Sequence, residues 1–159
     1  VLDIRPDAPP TLENFVAGAN AELLATVSLL VTPATAAQLP ARHIYLWGAP
    51  GSGRSHLLRA AADAARATGR PAPLLGAEAV EDNLPETTGA LLAIDDVDQL
   101  APAAQIALFN AFNRARGNGQ SLLLTATHRA ARVVDERPHA HACHQLVDGM
   151  VGVGGAHPA

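Results

Sequence analysis

Cysteine is nearly missing from this sequence: Cys143 stands alone in 159 residues, so no disulfide can form within the chain. That suits a reducing compartment. Aromatic side chains are scarce at 3%, and there is no excess of positive charge, since 11 basic residues face 15 acidic ones for a net charge of −4. A domain that held DNA by its own field would be basic, because its affinity comes from neutralising phosphates. Autonomous, sequence-specific DNA binding is therefore not expected. Long hydrophobic runs are missing too. The longest uncharged stretch, residues 23–41, is broken by Pro33 and Pro40, and the uncharged stretch 138–147 by Pro138; neither could span a bilayer. No signal peptide is visible, and the chain begins at Val1 rather than methionine. The expectation is a cytoplasmic protein whose first residues are missing.

What is present is a globular composition, 48% hydrophobic and 16% charged, in a length suited to one domain. Four segments stand out. Residues 1–10 are proline-rich and extended. In residues 11–42, Asn20 can cap a helix running to about Val31, with Leu23, Leu24, Val27 and Leu30 on one face; Pro33 ends it and a linker follows. Residues 43–129 alternate apolar strands (43–47, a weaker one at 73–76, 90–94 and 121–125) with helices at 55–68 and 102–116, and a short helix is expected near 77–84. Within the 102–116 helix, Ile106, Phe109 and Phe112 are spaced for one face. This alternation predicts an α/β fold with a parallel sheet flanked by helices. Residues 130–159 show no helical or strand period.

Residues 48–55 carry the chemistry. Gly48-Ala-Pro-Gly-Ser-Gly-Arg-Ser55 has two glycines, Gly48 and Gly53, with four residues between them, then a cation and a hydroxyl, between an apolar strand and a helix. Glycines let successive N–H groups converge on one point, and the following helix adds its positive end. The predicted phosphate-binding residues are Pro50, Gly51, Ser52, Gly53, Arg54, Ser55 and the adjoining His56. Ser55 would hold Mg²⁺. Arg54 stands where lysine is usual, and a planar guanidinium does not replace a compact ammonium at such a site. Retained diphosphate binding with doubtful hydrolysis is expected. Asp95 and Asp96 follow the apolar strand 90–94, the context of a second metal-binding motif: Asp95 would hold Mg²⁺, and Asp96 would act catalytically by orienting the attacking water. Thr127 ends the next strand, where a polar side chain could sense a γ-phosphate.

Several of these segments, in order, resemble the bacterial DnaA-type AAA+ P-loop family. Residues 11–18 with Asn20 are similar to its N-terminal box, residues 45–58 to its Walker A segment, 91–100 to its Walker B segment, 107–114 to the helix that follows, and 122–127 to its sensor 1. Arg54 and the His-Leu-Leu after Ser55 resemble the Hda type, the regulatory inactivators of DnaA. The resemblance covers about four-fifths of the chain. It implies an AAA+ core holding ADP or ATP with Mg²⁺, and Val16 bordering the adenine. It also implies a role in promoting hydrolysis of DnaA-bound ATP together with the DNA polymerase sliding clamp. The family's clamp-binding peptide has a tail similar to residues 1–4, so Leu2 and Ile4 are the expected clamp contacts.

The tail departs from the family. Arg129, Arg132 and Arg137 lie where an arginine finger would fall, but their surroundings do not match, and no sensor 2 arginine, lid or DNA-reading helix-turn-helix is found. The expectation is a chain truncated after sensor 1, with a frameshift near residues 128–135 as one explanation. His139, His141, Cys143 and His144 are metal-ligand types, yet their alternating spacing suits a closed tetrahedral site poorly. Two other readings stay open: an active ATPase of helicase-loader or initiator type, and an adaptor that docks on the clamp without using nucleotide.

Overall fold

A computed structural model describes residues 21–37, 43–49, 53–127 and 151–154. The extended arm with Leu2 and Ile4, the N-terminal box with Val16, loop residues Pro50, Gly51 and Ser52, and the histidine-rich part of the tail lie outside them.

Helix α1 (Ala21–Leu29) runs as its apolar spacing predicts, with Val27 and Leu30 fully buried. Pro33 does not simply end it. Proline's fixed φ suits a first helical turn, and Pro33–Ala36 form a one-turn helix, α2, whose cap Thr32 accepts a hydrogen bond from the Thr35 N–H. The predicted linker is thus helical at its start. Strand β1 (His43–Trp47) leads into the glycine loop and helix α3 (Arg54–Ala67), which ends before Gly69 at φ 86°. Only glycine adopts that angle without strain. Then come β2 (Leu74–Gly76), a 3₁₀ turn at Ala77–Ala79 in place of the longer helix expected there, and β3 (Leu91–Asp95). A second 3₁₀ turn at Val97–Gln99 precedes α4 (Pro102–Asn118), and β4 (Ser121–Ala126) follows.

The strands form one parallel sheet in the order β2-β3-β4-β1-β5, with helices on both faces. Its last member was not visible in the sequence pattern. Val151–Gly154 form β5 alongside β1, Ile44 opposite Val151 and Trp47 opposite Gly154. The valine-glycine alternation is too short and too glycine-rich to announce a strand by composition. The backbone of a neighbouring strand supplies what the side chains do not.

Strand side chains alternate between two cores, as the pleat requires. Ile44, Leu46, Leu91, Ala93 and Leu123 pack with Leu57, Leu58 and Ala61 of α3 and with Val27 of α1. Tyr45, Leu92, Ile94, Leu122 and Leu124 face the opposite way, against Ala104, Ala107, Leu108 and Ala111 of α4. That second contact corrects the face expected for α4 in part, since Phe109 and Phe112 pack against this core and Ile106 does not. Ile106 is 53% exposed and Phe109 and Phe112 lie at the rim, while alanines and Leu108 take the inner stripe. Small side chains and Leu108 line the inner stripe, with Phe109 and Phe112 packed against the same core from its edge.

Candidate nucleotide site

The site forms where strands β1 and β3 end, on either side of β4. This is the carboxyl edge of the sheet, where open parallel sheets bind ligands. The loop leaves β1 with the Gly48 N–H still bonded to the Ala126 carbonyl at 3.1 Å, so its start is anchored to β4. Gly53 at φ 88° then turns the chain into α3, its carbonyl accepting from the Leu57 N–H at 2.9 Å. A side chain at Gly53 would be forced into the left-handed region. The glycine is there for its backbone. The first turn of α3 brings Arg54, Ser55 and His56 together at the helix's positive end.

Across the sheet edge, β3 delivers its carboxylates. Ser55 Oγ donates to Asp95 Oδ2 at 2.8 Å, joining the two predicted metal-binding residues over 40 positions of sequence. A hydroxyl and a carboxylate are hard oxygen donors of the kind Mg²⁺ takes, so this pair fits the cation that a phosphate loop employs. Asp95 Oδ1 also accepts from the Thr125 hydroxyl, and Thr125 Oγ1 in turn accepts from the Asp96 N–H at 2.9 Å. Thr125 is fully buried at the end of β4 and orients both aspartates. Sequence reading placed it in a strand without assigning it a role. The available signal was a hydroxyl between Leu124 and Ala126 in an otherwise apolar buried run, since buried polar groups require partners.

Asp96 has φ 55°, the one positive value among the described non-glycine residues, and it lies within reach of Arg54. Arg54 Nη2 is 3.1 Å from Asp96 Oδ1, and its Nη1 donates to the Gly48 carbonyl. Thr127 is held differently from the other predicted residues. Its hydroxyl donates to Asp98 Oδ2, with its N–H 3.3 Å from the same oxygen, so it is joined to the carboxylate two positions beyond Asp96. The structure thus unites Arg54, Ser55, Asp95 and Asp96, adds Thr125, and sets Thr127 on Asp98. Among the described residues no group of three His, Cys, Asp or Glu side chains converges as a metal site, and no helix is long and apolar enough to cross a membrane.

This strand order, with helices on both faces of a parallel sheet, matches the AAA+ P-loop NTPase-like fold. An uncharacterized protein of Haemophilus influenzae is 31% identical over 138 residues, matching 81% of this chain and 57% of its own length. The replication initiator DnaA, solved bound to AMPPCP and single-stranded DNA, superposes with a TM-score of 0.71 at 21% identity, over 96% of this chain and 50% of that one. DnaI superposes with a TM-score of 0.64 at 10% identity, over 91% of this chain and 86% of its own. At these identities the structural likeness is one of fold. No protein-family model matches the chain. The chain spans little more than half the length of the Haemophilus relative and half that of the DnaA structure.

Proposed function

We propose that the chain is an adenine-nucleotide-binding AAA+ regulator of DNA replication initiation, of the Hda type, which holds ADP or ATP with Mg²⁺. The Ser55–Asp95 contact carries this reading. Two motifs distant in sequence meet as hydroxyl and carboxylate beside a glycine loop and a helix N-terminus, which is the equipment for a metal-bound di- or triphosphate. The fold shared with a replication initiator solved with AMPPCP supports a nucleotide and a replication context. The proposed partners are the DnaA initiator and, through Leu2 and Ile4 of the N-terminal arm, the sliding clamp. In the site, Asp95 and Ser55 would hold Mg²⁺, which would neutralise charge on the phosphates. The loop N–H groups around Gly51, Ser52 and Gly53 would cradle the phosphates, with Val16 beside the adenine.

The test is calorimetric titration of the full chain with ADP and with ATP in the presence of Mg²⁺. Saturable 1:1 binding is expected, weakened about tenfold or more in Ser55→Ala, which removes one oxygen donor, and lost in Gly53→Val, which blocks the left-handed turn. Unchanged affinity in both variants would place the ligand elsewhere. Faster hydrolysis of DnaA-bound ATP when chain and DNA-loaded clamp are added together would support the partners named.

A further inference from the structure

His43 opens β1 as a buried residue, on the face that the strand's alternation shares with Tyr45 and that α4 covers. Its Nδ1 accepts the Leu122 N–H at 3.0 Å, and Leu122 is the residue opposite it in the β1–β4 ladder. Strand ladders take such bonds on backbone carbonyls; here an imidazole nitrogen is the acceptor at the start of the pairing. A backbone N–H only donates, so Nδ1 keeps its lone pair and the ring's single proton sits on Nε2. The Phe112 ring of α4 lies against the imidazole, with centroids 4.9 Å apart and planes at 51°.

Protonation would set two donors against each other. Leu122, which is fully buried, would lose the acceptor for its N–H, and a charge would enter a nearly closed position. The charged groups around the ring oppose that charge. Strands β4 and β5 carry no charged residue, and α4 carries no acidic one. The cations of α4 are Arg114, 3.6 Å from the exposed Glu86, and Arg116, one turn beyond Phe112. Arg42 adjoins His43 in sequence and lies outside the described residues. The Phe112 ring offers an imidazolium some cation–π attraction, which is smaller than the cost of burial and of the broken bond.

We infer that His43 is an acid-sensitive fastener, joining β1 to β4 only while its ring is neutral. Acid therefore loosens the pairing of the strand from which the glycine loop departs. Nothing in this depends on the nucleotide reading. The sign follows from proton counting: the unfolded chain takes up a proton at His43 that the folded chain refuses. Stability is then full above about pH 6.5, the ordinary imidazole value, and falls as the pH drops below it.

Urea denaturation of the full chain from pH 8 to 5, in wild type and His43→Asn, tests the fastener. Asparagine keeps an acceptor oxygen near the place of Nδ1 and does not titrate. The other histidines titrate in both proteins and drop out of the comparison. Below about pH 6.5 the unfolding constant of wild type should rise more steeply than the variant's, approaching an extra tenfold per pH unit. Parallel profiles overturn the inference. A measurement on wild type alone guards against a variant that folds poorly: nitrogen NMR of the His43 ring. Expected is the Nε2–H tautomer at pH 7.5, still neutral at pH 5.5, where a free imidazole is about nine-tenths charged. An Nδ1–H tautomer, or a ring that charges in the ordinary range while the Leu122 amide signal stays unmoved, overturns it.

Discussion

Arg70 shows how much one side chain can fasten. It is 4% exposed, between α3 and β2, at the sheet edge opposite the nucleotide site. Its Nε donates to the Gly89 carbonyl at 2.8 Å, Nη2 lies 3.0 Å from Ser121 Oγ, and Nη1 donates to the Leu30 carbonyl. One guanidinium therefore holds the end of α1, the approach to β3 and the start of β4. Arg70→Met keeps much of the volume but leaves buried acceptors without donors, at a cost of about 3 kcal/mol or more. Urea denaturation should show that loss; a change below about 1 kcal/mol would mean the three contacts do not hold these elements. Nothing in the sequence marks Arg70, which sits in an ordinary Gly-Arg-Pro turn. Its partners are 19, 40 and 51 positions away. Gly53 and Gly69 are the opposite case: their roles were legible because a left-handed backbone angle is a local demand that glycine alone meets freely.

Among the elements, α4 separates period from face. A helix at residues 102–116 was readable from Pro102 at its start and the Gly-Asn-Gly stop, and its true end, with Gly119 at φ 70°, fits that reading. The buried stripe was not. Large residues at 106, 109 and 112 satisfy a helical spacing, but so do Ala104, Leu108, Ala111 and Ala115; the smaller set is fully buried, Phe109 and Phe112 pack partly buried at its edge, and Ile106 is left out. Periodicity gives two candidate stripes here, and burial against the sheet distinguishes them. Ile106→Lys should therefore shift stability by no more than about 0.5 kcal/mol. Leu108→Ala, which empties a 2% exposed position, should cost about 2–5 kcal/mol by thermal or denaturant unfolding. Equal losses would restore the stripe expected from sequence. Phe112 has a purpose at the rim, where its ring lies 4.9 Å from that of His43 at 51°, and His43 Nδ1 accepts from the Leu122 N–H at 3.0 Å. That chain of contacts ties α4 to β1 and β4 without entering the inner core.

Across the whole molecule, the site is assembled from the ends of β1, β3 and β4 and the start of α3, so a ligand that grips it braces elements from both cores. Binding confined to the folded state should add about 2.7 kcal/mol when Mg²⁺-ADP is at a hundred times its Kd, and the melting temperature should rise by several degrees. In Ser55→Ala most of that rise should disappear at the same ADP concentration, while the nucleotide-free melting temperature changes little, since the Ser55 hydroxyl is exposed. A rise of equal size in both proteins would detach stabilisation from the Ser55–Asp95 pair. The sequence by itself determined the alternation of buried strands and helices, the glycine turns and the chemical type of the loop. Each of these is a short-range demand: apolar side chains for a strand covered on both faces, glycine where φ is positive, N–H groups and oxygens where phosphate and metal would sit. Only the tertiary structure decided that Thr125 orients Asp95 and Asp96, that Arg54 faces Asp96 rather than outward, and that Val151–Gly154 complete the sheet. Those contacts join residues that local pattern leaves independent. They exist because the order β2-β3-β4-β1-β5 sets β4 between the loop-bearing and carboxylate-bearing strands and leaves the free edge of β1 open to a fifth strand.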